Sequence, residues 1–190
     1  MDNSGSSGSW RQLQDHECVA LFQSGEQAVF AELVRRHQNR VYRFLLRMMG
    51  CREEALELTQ DTMLKAFRAL PGWRSDATFA TWLFRIASNA ATDSLRRKKV
   101  VKYVPIEEHM DFPDPAAGPE EELQSAQRYR ILEAALQRLQ ADYRQVLLLR
   151  EVEEMSYAEI GEVLGLREGT VKSRIARARQ ALLEVCKGRI

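Results

Sequence analysis

Apolar residues recur three or four positions apart along most of this chain, which is the spacing that places them on one face of an α-helix. One such run extends from Val29 to Met49 and stops at Gly50, a residue type that commonly ends helices. The same period predicts helices over about Arg52–Leu70 and Phe79–Lys99, preceded by a short helix at Asp15–Gln23. The pattern therefore predicts an all-α fold.

The run Arg52–Leu70 has two faces of different character. Its apolar line is expected to face the core and consists of Leu56, Met63, Phe67 and Leu70. A second face is expected to be exposed because its members are three or four positions apart; it carries Glu57, Asp61, Leu64 and Arg68. Charges around a leucine on an exposed helix face suit a protein partner.

The composition changes after the third run. The basic stretch Arg96–Lys102 is followed by Pro105–Glu122, which holds four of the five prolines and seven acids and has no Lys or Arg. This composition is typical of a solvated, flexible linker. We therefore expect two helical domains, at 15–102 and 123–190, joined by a linker at 103–122. The Gly- and Ser-rich residues 1–14 are expected to form a flexible tail.

The second domain contains a helix-turn-helix pattern. Helices are predicted over about Glu121–Leu139 and Asp142–Val152. Next, Ser156 and Glu159 have the spacing of a capping box, in which each side chain bonds to the other residue's amide. Gly165 breaks the helix that they open, and the last helix begins at Glu168 and extends to about Cys186.

The last helix has a face suited to the major groove of DNA. At 100° per residue its buried stripe is Val171, Ile175, Ala178 and Leu182, and its opposite face is Gly169, Ser173, Ala176 and Gln180. Lys172 and Arg179 flank that face on one side, and Arg174 and Arg177 on the other. Small side chains can approach bases while cations reach phosphates. The alternative is an amphipathic helix with a solvated basic face.

The third helix carries a polar stripe beside its buried one. The stripe consists of Arg85, Asn89, Thr92 and Arg96. The preceding loop, Pro71–Phe79, contains Trp73 and Arg74. Aromatic side chains in loops can stack on unpaired bases, and a neighbouring basic helix can follow a nucleic-acid backbone. The alternative for Trp73, and more so for Trp82 within the helix, is core packing.

Catalysis is not indicated by the sequence. His16, His37 and His109 are scattered, and no glycine-rich phosphate loop is present. His16 and Cys18 would supply two ligands, fewer than a zinc site requires. We therefore expect a protein that is not an enzyme and that needs no cofactor or metal.

The sequence also predicts the cellular compartment of the protein. No apolar run approaches the roughly 18 residues of a membrane span, and no signal peptide is visible. The three cysteines lie far apart, as is typical of reduced thiols, so we expect a cytoplasmic protein. The formal net charge of +1 gives no global attraction to nucleic acid, so only the local distribution of charge can provide it.

Four segments, taken in order, resemble the motifs of one protein family. They are "FAELVRRHQNRVYRFLLRMMG", "ALELTQDTMLKAFRALPGW", "FATWLFRIASNAATDSLRRKK" and "YAEIGEVLGLREGTVKSRIARARQAL". The chain resembles the extracytoplasmic-function sigma factors, small specificity subunits of bacterial RNA polymerase. The resemblance implies a sigma-two and a sigma-four domain. A free-standing helix-turn-helix repressor or activator, the alternative, would leave the first domain unexplained.

The resemblance assigns three surfaces. It implies a docking face for the β′ coiled coil of core polymerase at Glu57, Gln60 and Asp61, and helix spacing adds Leu64 and Arg68 to this docking face. It implies a minus-ten surface, which captures a flipped base and melts the duplex, comprising Trp73, Arg74, Ser75, Asp76, Arg85, Asn89, Thr92 and Arg96. It implies a minus-thirty-five reading face, comprising Thr170, Lys172, Ser173, Arg174, Ala176, Arg177 and Gln180.

The partners implied are core RNA polymerase, through its β′ and β subunits, promoter DNA, and an anti-sigma protein. The anti-sigma protein is expected to be membrane-tethered and to hold the sigma factor at the inner membrane until a stress or envelope signal arrives. Nothing in the chain looks like a built-in switch, which favours control by an external partner.

Overall fold

The computed structural model describes residues 10–74, 76–100 and 131–187, with side chains up to residue 98 in the second range. Every regular element in these ranges is helical, which confirms the all-α prediction. The predicted linker at 103–122, the predicted helix start at Glu121 and loop residue Ser75 lie outside the described residues. So do residues 1–9 and 188–190.

The helices follow the predicted order. In the first domain they are α1 (Asp15–Gln23), α2 (Phe30–Met49), α3 (Arg52–Ala69) and α4 (Phe79–Val100). In the second they are α5 (131–138), α6 (Ala141–Leu147), a π-helical turn (Leu148–Val152), α7 (Tyr157–Leu164) and α8 (Glu168–Lys187). A 3₁₀ turn at Gln27–Val29 leads into α2, and another at Leu70–Gly72 follows α3.

The core of the first domain forms around α2, which packs against α3 and α4. Phe44 and Phe84 meet edge to face with their ring centroids 5.4 Å apart. Gly50 ends α2 in the left-handed conformation, with φ at 70°. A Cβ atom would disfavour that conformation, so glycine is suited to this position.

The predicted core line of α3 is partly wrong. Leu56 is 45% exposed, and Met63 and Phe67 are half-buried. The residues that α3 buries are Ala55, Leu58, Thr62 and Ala66. These are spaced three or four apart, and most are small, so α3 can approach its neighbours closely. Leu56, Met63 and Phe67 have helical spacing as well, but each lies one position after a buried residue, so the buried face is turned by about 100° from the predicted one.

Part of the segment predicted to be a flexible tail packs against the first domain. Trp10 and Leu13, which the sequence analysis placed in a flexible tail, pack against the core. Arg36 fixes this segment: its Nη2 donates to the Trp10 carbonyl at 2.9 Å and its Nη1 to Asp15 at 2.9 Å. Asp15 also lies 2.6 Å from Nε2 of the buried His37.

Glu32 is a buried carboxylate held by two arginines. Arg35 donates from Nε at 2.7 Å and Arg36 from Nε at 2.7 Å. The hydrogen bond from Arg35, followed by that from Arg36, outweighs the effect of burial and lowers the pKa of Glu32 to about 2. A carboxyl group with a lowered folded pKa stabilises the fold when it is ionised, so this stability is present above the ordinary pKa of 4.5.

We expect Glu32→Gln to reduce the free energy of unfolding by roughly 1–3 kcal/mol at pH 7, because a charged hydrogen-bond partner is lost. The difference between parent and variant should shrink as pH falls from 4.5 towards about 2, where the parent carboxylate also becomes protonated. Urea titrations at pH 7 and pH 3 measure this. Glu26→Gln, at an exposed site, is the control and should leave both values unchanged. A pH-independent difference for Glu32→Gln would contradict the expectation.

The second domain packs α8 against α6 and α7. Its core includes Val146, Leu149, Ile160, Val171 and Ile175, each at most 2% exposed. The two domains also pack on each other, chiefly α4 against α7. Within the described ranges, no helix combines the length and the apolar character needed to cross a membrane.

Candidate nucleic-acid and protein interfaces

The helix-turn-helix has the predicted local geometry. The Ser156 hydroxyl accepts from the Glu159 amide at 3.2 Å, and a Glu159 carboxylate oxygen accepts from the Ser156 amide at 2.8 Å. Gly165 ends α7 in the left-handed region, with φ at 66°. The Leu166 amide then donates back to the Gly161 carbonyl at 2.9 Å. These contacts fix the turn that sets the direction of α8.

The buried stripe of α8 is confirmed at three of its four positions. Val171, Ile175 and Ala178 are at most 2% exposed. Leu182 is only half-buried. On the reading face, Arg174 is half-buried and the remaining residues are exposed: Thr170, Lys172, Ser173, Ala176, Arg177 and Gln180. The surface predicted to read DNA is therefore accessible.

Three of the four cations that flank the reading face of α8 have acidic partners. The Lys172 Nζ lies 2.7 Å from Glu168, the Arg179 Nε donates to Glu151 at 3.0 Å, and Arg174 lies 3.5 Å from Asp142. The hydrogen bond to Glu168 raises the pKa of Lys172, and the bond to Glu151 raises that of Arg179.

Arg177 differs from the other three cations. Its side chain is exposed, and no carboxylate of the described residues forms an ion pair with it. A phosphate or a base can reach Arg177 without displacing an acid, whereas it must compete with one at the other three positions.

The loop after α3 borders a cavity of about 570 Å³. Trp73 is half-buried and lies 5.3 Å from Trp82 and 6.3 Å from Phe79, measured between ring centroids. Gln23 holds the loop, donating from Nε2 to the Leu70 carbonyl at 2.9 Å and to the Trp73 carbonyl at 2.8 Å. Trp73 thus packs on the core with one part of its ring and lines the cavity with another, while its stacking on an unpaired base stays a prediction. Arg74, Asp76 and Arg85 also line the cavity.

The polar stripe of α4 is not uniformly exposed. Arg85, Asn89 and Arg96 are exposed, but Thr92 is half-buried. The Thr92 hydroxyl donates to the Ser88 carbonyl at 2.8 Å and lies 3.5 Å from Nε2 of Gln145 in the second domain. The second domain therefore covers part of the minus-ten surface.

The docking face is fully exposed. All its members, Glu57, Gln60, Asp61, Leu64 and Arg68, lie on the solvent side of α3. Leu64 is 47% exposed and Leu56 is 45% exposed. The spacing Leu56, Gln60, Leu64 places both leucines on one surface, so the residue wrongly assigned to the core belongs to an exposed apolar pair rimmed by charges.

Comparison with known proteins identifies the family. Residues 33–100 match the model of sigma-70 region 2, and residues 129–182 match that of sigma-70 region 4. The ECF RNA polymerase sigma factor SigW of Bacillus subtilis is 31% identical over 172 residues, which are 86% of this chain and 92% of SigW. This chain belongs to the extracytoplasmic-function (ECF) sigma factors.

Two further proteins are similar to this sigma factor. The ECF RNA polymerase sigma factor SigE of Mycolicibacterium smegmatis is 37% identical over 169 residues, covering 86% of this chain but 65% of SigE. The sigma factor RpoE of Bartonella quintana, solved with the anti-sigma factor NepR, has a TM-score of 0.69 at 24% identity, covering 85% of this chain and 98% of RpoE. At that identity the likeness shows a shared fold. Sigma factors are transcription initiation factors and not enzymes.

The predicted docking face and minus-ten surface fall within the region 2 match, and the predicted reading face falls within the region 4 match. Sequence reasoning missed Leu56 on the docking face, the acids that partner the region-4 cations, and Glu162 of α7 at the cavity beside the loop. The spacing of Glu168 and Lys172 could have revealed one ion pair. Contacts from Glu151, Asp142 and Glu162 depend on the tertiary structure and leave no local signal.

Proposed function

We propose that this ECF sigma factor directs core RNA polymerase to promoters by separate use of three surfaces. The observation that carries the proposal is that one chain presents an exposed apolar and acidic helix face in region 2 and an exposed basic helix face in region 4. The first suits a polymerase subunit and the second suits duplex DNA. A helix-turn-helix repressor has no use for the first.

The domain limits proposed from the sequence are 15–102 for region 2, 103–122 for the linker and 123–190 for region 4. Within them, the docking face would bind the β′ coiled coil and α8 would enter the major groove at the minus-thirty-five element. The loop and α4 would hold the non-template strand of the minus-ten element. Contacts to the β subunit are also expected for the assembled initiation complex.

We also propose an anti-sigma protein as the regulatory partner. Two observations support it: the chain belongs to the ECF family, and the related RpoE fold was solved with an anti-sigma factor. The proposed partner is membrane-tethered, holds the sigma factor at the inner membrane, and releases it on a stress or envelope signal. It should protect both the docking face and region 4 from hydrogen exchange. If neither is protected in the complex, this mode of binding is excluded.

Transcription with purified components tests the function. Core polymerase alone and core polymerase with this chain are incubated with genomic DNA, and the transcripts are sequenced. The proposal expects new start sites that depend on the chain and share two upstream elements. A repressor would instead bind specific duplex DNA without polymerase and would add no start sites.

Two substitutions on the reading face are expected to weaken DNA binding in different ways. Arg177→Ala should weaken binding to the chain's own minus-thirty-five duplex by about tenfold and relax its sequence preference, consistent with the roughly 1–3 kcal/mol of a bidentate contact to guanine. Lys172→Ala should weaken binding to all duplexes alike, because a phosphate contact carries no sequence information. Titrations of promoter and scrambled duplexes with each variant in complex with core polymerase, at two salt concentrations, measure both effects. Salt-independent binding would contradict a groove contact.

Another prediction concerns Trp73 on the minus-ten surface. Trp73→Ala should leave polymerase affinity unchanged and slow promoter melting by about tenfold, since stacking on an unpaired base contributes roughly 1–3 kcal/mol. Permanganate footprinting over time measures melting. Trp73→Phe is the control, because it retains a stacking ring. Equal melting by parent and alanine variant would leave Trp73 as a packing residue alone.

A further inference from the structure

The loop that carries Trp73 and Arg74 is held by a residue outside the part of the chain that matches sigma-70 region 2. That match covers residues 33–100, whereas Gln23 is the last residue of α1. Its Nε2 donates to the Leu70 carbonyl at 2.9 Å and to the Trp73 carbonyl at 2.8 Å. The role inferred for Gln23 rests on the proposed function, since it concerns how the loop reads the minus-ten element.

Helix α1 gives this contact a rigid support. Phe22, the neighbour of Gln23, is buried. Its ring centroid lies 5.6 Å from that of Phe30 in α2 and 5.3 Å from that of Phe67 in α3. At the other end of α1, the Asp15 carboxylate is bound to side chains of α2. Because both ends of α1 are fixed on the first domain, the Gln23 side chain extends from a defined point.

The two hydrogen bonds from Gln23 orient the chain as it enters the loop. Both partners are backbone carbonyls, so both N–H groups of the side-chain amide are used. A peptide unit is planar, so holding the Trp73 carbonyl also orients the amide and the Cα atom of Arg74. The Leu70 carbonyl accepts a second bond, from the Trp73 amide at 3.2 Å. One side chain of α1 thus fixes peptide units at the start of the turn Leu70–Gly72 and just after it.

The far end of the loop is fixed by local bonds instead. The Thr78 hydroxyl accepts from the Thr81 amide at 3.1 Å, and the Thr78 carbonyl accepts from the Trp82 amide at 3.0 Å. These bonds lie within the loop and the first turn of α4, where they cap the helix. The near end, which carries Trp73 and Arg74, is bonded to α1.

The residues anchored by Gln23 border the cavity beside α4. Trp73 and Arg74 both line it, and Trp73 also packs on Trp82 with the ring centroids 5.3 Å apart. Ring packing restricts the tilt of Trp73, whereas the bonds from Gln23 set the position of the backbone that carries Trp73 and Arg74. This position matters because a misplacement of about 1 Å in a site can already cost much of its efficiency.

We propose that Gln23 is a positioning residue for the minus-ten element: through the carbonyls of Leu70 and Trp73, it sets where the loop meets the captured base. Loss of its two bonds lowers the selectivity for that base. A residue that only stabilised the fold would instead lower the active fraction of the protein and would affect all promoters alike.

The anchor itself is tested on the full-length chain without polymerase. The sequence has three tryptophans, so fluorotryptophan labelling and fluorine NMR give three resonances, which are assigned by replacing each tryptophan with phenylalanine. Gln23→Met removes both donors and adds no charge. It should shift or broaden the Trp73 resonance and leave that of Trp10 unchanged. Gln23 is exposed, so the substitution creates no cavity and the variant should fold, which circular dichroism verifies. An unchanged Trp73 resonance would overturn the anchor.

The positioning role is tested with holoenzyme on a promoter that depends on the parent chain. Versions of this promoter carry each of the bases at the captured position, and permanganate footprinting measures their melting rates. The ratio of the fastest rate to the slowest is the selectivity. Gln23→Met and Gln23→Glu should each lower this ratio about fivefold, a factor within the range for losing a hydrogen bond, at unchanged polymerase affinity. Gln27→Glu adds the same charge at another exposed glutamine and should keep the parent ratio.

The outcomes separate Gln23 from the rest of the site. Slower melting of every version by one factor would leave the ratio intact and would overturn the positioning role in favour of a purely structural one. An equal fall for Gln27→Glu would overturn it as well, because added charge would then be the cause. A parent that starts no transcripts, or melts all versions alike, would count against the proposed function and the role of Gln23 together. A selective parent whose ratio survives Gln23→Met would count against Gln23 alone.

Discussion

The Leu64→Asp variant should bind core RNA polymerase with an affinity at least about 30-fold lower than that of the parent. Leu64 is 47% exposed in the middle of the docking face, beside Asp61 and Arg68 and on the same side of α3 as Leu56. A residue at the centre of an interface, from which the surrounding contacts exclude water, can cost about 2 kcal/mol or more when it is lost. Aspartate adds the cost of burying a charge. Fluorescence anisotropy with labelled core polymerase measures the loss.

The matched control for this change is Leu183→Asp. Leu183 is 54% exposed and lies on α8 in the other domain. Leu183→Asp therefore makes the same substitution, leucine to an acid, away from the docking face. It should leave polymerase affinity within about twofold of the parent. Equal losses from both variants would show that added negative charge, and not the docking face, is responsible. Unchanged affinity for Leu64→Asp would move the docking site away from α3.

Local signals in the sequence predicted the helices well. The 3.6-residue period gave α1 with the bounds Asp15–Gln23, and Gly50 and Gly165 end helices in the left-handed conformation. The capping box at Ser156 forms as its spacing predicted. These features depend on residues within one or two helical turns, and such dependence can be read from a single sequence.

Features that depend on tertiary packing were not predictable. Leu56 looks like a core residue, yet the helices approach α3 on its small residues, Ala55 and Ala66, and leave Leu56 in solvent. Trp10 lies next to a Gly- and Ser-rich stretch but finds a core surface and a partner in Arg36. In each case the deciding neighbour lies on another element.

The contact between the domains is the clearest example. The acidic linker composition suggested independent domains, whereas α7 packs on α4 and Arg144 caps α2. Arg144 carries no signal in the sequence, since an arginine just before an apolar run is equally consistent with a solvated side chain. Its burial is favourable because carbonyl groups of both domains, including those of Leu136 and Met48, accept its hydrogen bonds.

Gly161 is the position in the helix-turn-helix where the structure reverses an expectation from helix propensity. In the interior of a helix, alanine is ordinarily more stable than glycine by about 1 kcal/mol. An ideal Cβ on Gly161 would lie 2.7 Å from the Leu166 carbonyl oxygen. That oxygen belongs to the backbone of the turn, close to the hydrogen bond from the Leu166 amide to the Gly161 carbonyl. It cannot move away without shifting α8.

Gly161→Ala should therefore destabilise region 4 by roughly 1–3 kcal/mol, the range for overpacking a tight site, and should weaken duplex binding as α8 is displaced from α7. Gly169→Ala is the matched control, because nothing lies within 4 Å of its Cβ position and it opens a helix. It should stabilise by up to about 1 kcal/mol. Native-state hydrogen exchange of the α8 amides measures both changes within region 4 alone. If both variants change the stability of region 4 in the same direction, the Leu166 carbonyl must move to accommodate the new Cβ atom. Helix propensity, and not the close approach of the turn, would then determine the effect of Gly161→Ala.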